Sequence, residues 1–113
     1  MDALTYPAAR ERPGLEPRTL TDRFRLVETT EGYDALGDTL ALFFTFSGLP
    51  NRIEINVEDQ DAIFELRDET NQARAPVTVR SGQTWVPDIA ARYVYGRNAT
   101  AGLTARAQVI GRY

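Results

Sequence analysis

Apolar and polar residues alternate along most of the chain beyond residue 19, and this period of two restricts the fold to β-structure. In Arg52–Val57 the alternation is unbroken: Ile53, Ile55 and Val57 lie on one face, and Arg52, Glu54 and Asn56 on the other. Leu20–Val27 places Leu20, Phe24 and Leu26 opposite Arg23 and Arg25. Thr39–Phe46 is the most apolar segment, with Leu40, Leu42, Phe44 and Phe46 on one side and Thr39, Ala41, Phe43 and Thr45 on the other. Burying one large apolar side chain is worth about 1.5–3 kcal/mol, so this segment is expected at the centre of the core.

Ala62–Arg67, with Phe64 and Leu66 on one face, and a strand marked by Val77 and Val79 continue the series. Thr84-Trp85-Val86 and Tyr93-Val94-Tyr95 follow, and Ala105–Ile110 closes it, with Ala105, Ala107 and Val109 opposing Arg106, Gln108 and Ile110. Turn formers separate the segments, among them Ser47-Gly48-Leu49-Pro50-Asn51, Ser81-Gly82, Pro87-Asp88 and Asn98–Gly102. Short strands with such punctuation predict an all-β chain: an antiparallel β-sandwich, jelly-roll-like, spanning residues 19–113.

Residues 1–18 stand apart. They hold Pro7, Pro13 and Pro17 among three arginines, with no period of 2 or 3.6. Proline at this spacing interrupts strand pairing and favours extended geometry. The segment is expected to form an extended N-terminal arm. Tyr6, Pro7, Arg10, Arg12, Pro13, Leu15, Pro17 and Arg18 are its candidate partner-binding residues, carrying more apolar and arginine content than a solubilising tail needs.

Composition narrows the chemistry. The 113 residues include no histidine, cysteine or lysine. That removes the imidazole proton shuttle, the thiolate nucleophile, the Schiff-base amine and Cys/His zinc sites. The expectation is a protein that is not an enzyme and carries no cofactor. The net charge of −3 conceals an asymmetry. Residues 1–69 hold seven arginines against fifteen acids, whereas residues 70–113 hold six arginines against Asp88 alone. No broad basic field for nucleic acid is expected from this balance. No apolar stretch has the roughly 18 residues of a membrane span, and the acidic start Met1-Asp2 predicts no secretory signal.

Three groups of residues invite a chemical reading beside an ordinary structural one. Glu54, Glu58, Asp59, Asp61, Glu65, Asp68 and Glu69 offer hard oxygen ligands suited to calcium, but without the spacing of an EF-hand loop. A solvated acidic face, or a docking face for arginines, accounts for them as well. Trp85, Tyr93 and Tyr95 have the rings to stack on sugars, though aromatics on strands more often serve the core or cross-strand pairs. Asn98-Ala99-Thr100 fits the glycosylation acceptor pattern, here read as a chance match.

The last third of the chain resembles small virion proteins of tailed bacteriophages. The residues responsible are Ser81-Gly82-Gln83-Thr84-Trp85, Asp88-Ile89-Ala90-Ala91, Tyr93 through Gly102, and Ala107-Gln108-Val109-Ile110-Gly111-Arg112-Tyr113. The shared order is strand, acidic break, strand, Asn-Ala-Thr-Ala-Gly turn, strand. The resemblance implies a structural role on the particle, as a capsid decoration (cement) protein on the capsid surface, made in the host cytoplasm. The implied partners are the major capsid protein or other virion proteins and further copies of the chain, a trimer being the preferred oligomer. A neck or tail adaptor, or a fibre-associated carbohydrate-binding module using Trp85, Tyr93 or Tyr95, is the alternative.

Overall fold

The computed structural model describes residues 27–113. They form nine strands and no helix: β1 (Val27–Thr29), β2 (Asp34–Ala35), β3 (Ala41–Thr45), β4 (Arg52–Val57), β5 (Ala62–Arg67), β6 (Val77–Val79), β7 (Thr84–Trp85), β8 (Tyr93–Asn98) and β9 (Arg106–Arg112). All pairings between them are antiparallel. One sheet runs β1-β9-β4-β7, and β2 pairs further along β9; the other runs β3-β8-β5-β6. β1 and β2 behave as one interrupted edge strand, since Val27 faces Arg112 and Asp34 faces Ala107 on the same partner.

The chain passes from one sheet to the other at six of its eight connections. Only β1–β2 and β5–β6 remain within a sheet. The all-β, two-sheet architecture expected from the alternation is present. The arm and most of Leu20–Val27 lie outside the described residues.

Period-two patterning translates directly into burial in the central strands. In β4 Ile53, Ile55 and Val57 are buried; in β5 Ala62, Phe64 and Leu66; in β9 Ala107 and Val109. With Phe46, Val79, Ala91, Val94 and Ala105, these form one core between the sheets. Fourteen apolar side chains are buried, and most of the hydrophobic stabilisation resides in them.

One expectation holds only in part. Among the described residues β3 pairs only with β8, so of Thr39–Phe46 it is Phe46, with Phe43 and Phe44 packed against the core, that carries the expected burial. The alternation also breaks. The register shifts between Leu42, opposite Tyr95, and Phe44, opposite Val94. A bulge of this kind places an extra residue in one strand and reverses the sidedness that follows. Leu42 is consequently 53% exposed, whereas Phe43 and Phe44 both pack against the core. Phe43 meets Phe64 edge-on at 6.4 Å, and Phe44 meets Phe46 at 5.0 Å. Apolar content identified the segment as core-forming; the bulge decided which residues enter.

Two glycines let the sheets close. A Cβ on Gly96 would lie 3.0 Å from both Leu36 Cδ2 and the Phe64 ring. A Cβ on Gly111 would collide with the Phe46 ring, which rests on the β9 backbone at that point. Neither site has an unusual backbone conformation, so the requirement is for space alone. Gly111→Ala should lower the unfolding free energy by about 1–3 kcal/mol, the usual cost of overpacking. In a denaturant-unfolding cycle with Phe46→Leu, the two losses should sum to more than the double variant shows. Strict additivity would remove Phe46–Gly111 as a packing pair.

Candidate interaction surface

The outward face of the second sheet collects side chains from three strands. Antiparallel register sets Thr45, Tyr93 and Arg67 in one row and Leu42, Tyr95 and Glu65 in the next. Glu65 and Arg67, two apart on β5, share this face because side chains alternate along a strand. Arg67 donates through Nε to Glu65 Oε2 at 2.9 Å, and its terminal nitrogen approaches the same oxygen at 2.8 Å. Its guanidinium lies 3.8 Å from the centroid of the Tyr95 ring. Arg92 sits 5.6 Å from the Tyr93 ring and donates through Nε to the Phe46 carbonyl at 3.0 Å.

Each cation–π contact is worth about 0.5–1 kcal/mol at an exposed site. Their larger effect is to hold two long side chains in place before any partner arrives, which reduces the ordering cost of binding. Tyrosine and arginine are residues that interface centres favour.

The outward face of the first sheet is different. Glu54 lies between Arg52 and Arg112, 3.9 Å from each. Asn56 donates to Gln108 Oε1 at 3.3 Å and accepts from the Thr84 hydroxyl. These polar groups satisfy one another in pairs, and such surface ion pairs contribute little to stability. Of the two faces, the second sheet's is the one that carries tyrosine rings with arginines held against them.

The acids that suggested calcium are dispersed. Glu54 and Glu65 project from opposite sheets. Glu58 approaches Arg106 at 3.9 Å, and Asp61 accepts from the Ser81 amide at 2.8 Å. Asp68 folds its own loop, accepting from the Thr70 amide and hydroxyl at 2.9 and 2.7 Å and from the Gln72 amide at 2.9 Å. Among the described residues, no three acids converge on a position that would hold a metal ion.

The aromatic trio is divided as well. Trp85 pairs opposite Ile55 and packs at the margin of the core. Tyr93 and Tyr95 face outward on the other sheet, so the three rings do not form one stacking surface. A hollow of about 250 Å³ lies among Pro50, Asn51 and Pro87 to Ala90, and one of about 330 Å³ beside Asp68, Gln72, Ala73 and Arg74. Neither brings together an acid–base pair with a nucleophile.

Asn98 has a structural task. It is only 3% exposed; its amide donates to Asp38 Oδ1 at 2.8 Å and its carbonyl oxygen accepts from the Ala105 amide at 2.8 Å. Asp38 also accepts from the Gly102 amide at 3.2 Å. Both polar ends of the Asn98 side chain are therefore engaged in clasping the β2–β3 and β8–β9 loops. The hydrogen bonds from Asn98 and Gly102 hold the Asp38 carboxyl below the ordinary aspartate value near 3.8.

A second clasp joins β1 to the chain's last residue. Glu28 accepts from the Tyr113 hydroxyl and from the Ser47 amide at 3.0 Å. Burial opposes ionisation of Glu28, but these hydrogen bonds outweigh it and lower its pKa. Burial and the Glu28 contact raise that of Tyr113.

Sequence reasoning missed both clasps, because they depend on residues about 60 and 85 positions apart. The Glu65–Arg67 pair was missed too, although two opposite charges two apart on one strand carry a readable signal. Tyr6, Pro7, Arg10, Arg12, Pro13, Leu15, Pro17 and Arg18 lie outside the described residues. Among the described residues, no helix is long and apolar enough to cross a membrane. Compared with known proteins, the chain matches no family model and no curated protein.

Asn98→Ala should cost about 1–3 kcal/mol, because it strands the buried Ala105 amide. The depressed Asp38 pKa adds a pH dependence. Its contribution is complete above about pH 4 and is lost as pH falls through the lower folded-state value. Asp38→Asn should therefore lose less stability than the parent between pH 6 and pH 3 in urea titrations. Equal losses would show that Asp38 does not carry this acid sensitivity.

Proposed function

We propose that the chain is a structural protein of a tailed-bacteriophage virion: a capsid decoration (cement) protein that binds across major capsid protein subunits and has no catalytic turnover. The sandwich is proposed to be a jelly roll. Counting β1 and β2 as one strand gives two four-stranded sheets joined by six crossings, the arrangement of double-sheet jelly rolls, which recur in viral capsid proteins.

The observation that carries the reading is the position of the phage-like segment within this order. Its residues run through β7, β8 and β9; β8 is an inner strand of one sheet and β9 of the other. The resemblance thus falls on the strands that close the body, and not on a peripheral loop. The tyrosine–arginine face of the second sheet supplies a surface of interface character for coat or sister subunits. Residues 1–18 would tie the body to a neighbour, and a trimer is the preferred assembly on the capsid surface.

A neck or tail adaptor would use the same sandwich, and copy number separates the two: hundreds per particle for a cement protein, one ring's worth for an adaptor. The dispersal of Trp85 from Tyr93 and Tyr95 gives no support to a carbohydrate-binding module. Deleting residues 2–18 should leave the sandwich folded while markedly lowering its occupancy on particles, measured by quantitative mass spectrometry of purified virions. Unchanged occupancy would remove the arm from the mechanism.

A further inference from the structure

Glu28 and Asp38 stand at the two ends of one stretch of chain, and each fixes its end to a different part of the sandwich. At the first end Glu28 accepts from the Ser47 amide at 3.0 Å and from the Tyr113 hydroxyl. At the second, Asp38 accepts from the Asn98 side-chain amide at 2.8 Å and from the Gly102 backbone amide at 3.2 Å. The Asn98 backbone amide donates to the neighbouring Gly37 carbonyl at 2.7 Å.

Between these ends the stretch is lightly held. β1 and β2 contribute three and two paired residues along β9, and of residues 28–38 only Thr30 and Leu36 are buried. Thr30 bridges the interruption: its amide donates to the Val109 carbonyl at 3.1 Å, and its hydroxyl accepts from the Val109 amide at 3.3 Å. Leu36 donates its amide to the Ala105 carbonyl at 2.8 Å. β9 keeps its place without this stretch, because six of its residues pair with β4. Segments with few buried apolar contacts open at lower free energy than the core around them.

We propose that residues 28–38 form a strap latched at both ends by carboxylates, which releases as one unit and uncovers the β9 backbone while β9 stays paired with β4. The Val109 amide and carbonyl, held by Thr30 when the strap is closed, then become available to another strand. The device does not depend on a virion role.

Charge is what the two latches share. Glu28 packs against the end of β9, whose Arg112 turns to Glu54, and against the turn Ser47–Asn51, which has no charged residue. Near Asp38, Arg97 donates to the Asn98 carbonyl and Arg106 approaches Glu58. Glu31, Tyr33 and Asp34 are the strap's other titratable groups. Burial raises the Glu28 pKa, but hydrogen bonds from Tyr113 and Ser47 bring it below the ordinary value; those from Asn98 and Gly102 lower that of Asp38. The latches are therefore complete at neutral pH and weaken as pH falls through the lowered values.

Residue-resolved hydrogen exchange on the full-length chain tests the unit. The Thr30 and Leu36 amides report on the strap; those of Val57 and Arg92, bonded to the Gln83 and Arg67 carbonyls, report on the body. In the parent at neutral pH, Thr30 and Leu36 should be protected and share one rate, roughly tenfold or more above that of Val57 and Arg92. Glu28→Gln should accelerate distant Leu36 as much as Thr30, and Asp38→Asn should accelerate distant Thr30 as much as Leu36. Acceleration confined to the near end would overturn the proposal, as would unprotected exchange at Thr30 in the parent.

Between pH 6 and pH 3, protection corrected for intrinsic exchange should fall at Thr30 and Leu36 in the parent but not in the Glu28→Gln, Asp38→Asn double variant. An equal fall in both would remove the carboxylates as latches. Tyr113→Phe deletes only a hydroxyl and is the milder variant; it should speed Thr30 and Leu36 and leave Val57 and Arg92 unchanged. Loss of protection at Val57 and Arg92 together with the strap in that variant would show that the strap is not a separate unit.

Discussion

The contact between the Phe46 ring and the β9 backbone at Gly111 joins the two sheets where neither can adjust. Phe46 follows β3 in one sheet, and Gly111 lies on β9 in the other. Because six connections cross between the layers, no sheet is a contiguous piece of chain, and neither forms without the other. β4 pairs along its whole length with β9, some fifty residues away. Glycine at 96 leaves room for the ring of Phe64, and glycine at 111 for that of Phe46.

The polar clasps reinforce the same closure at points where hydrophobic packing does not reach. Asp38 and Asn98 tie loops from both sheets, and Glu28 and Tyr113 tie β1 to the final residue and to the turn after β3. Each uses a side chain with both polar ends engaged, or a carboxylate with more than one donor. Such groups contribute through what their removal would strand rather than through strong net attraction.

The fold class was legible in the alternation because period two and burial coincide in β4, β5 and β9. Ile53, Ile55, Val57, Phe64, Leu66, Ala107 and Val109 are inward as their spacing dictates. It failed where backbone geometry intervened. The bulge in β3 is an insertion relative to β8, so nothing in the local composition of Ala41–Thr45 announces it. The candidate site was less legible still. Glu65 and Arg67 are marked by spacing, but the approach of Arg67 to Tyr95 requires the β5–β8 register. Acids close in sequence separated because β4 and β5 belong to different layers.

The molecule divides its surfaces by chemistry. One sheet turns outward a set of mutually satisfied polar pairs; the other turns outward tyrosines, an exposed leucine and arginines already held in position. The proposed binding role would use such a face with a rigid body behind it. The central claim is that this body reinforces a virus shell. A three-dimensional reconstruction of the native particle tests it most directly. Density for the sandwich bridging adjacent coat subunits, with the tyrosine–arginine face against a neighbour and the proline-bearing leader reaching a further subunit, is the predicted result. Particles that carry no density for the chain on head, neck or tail would contradict it.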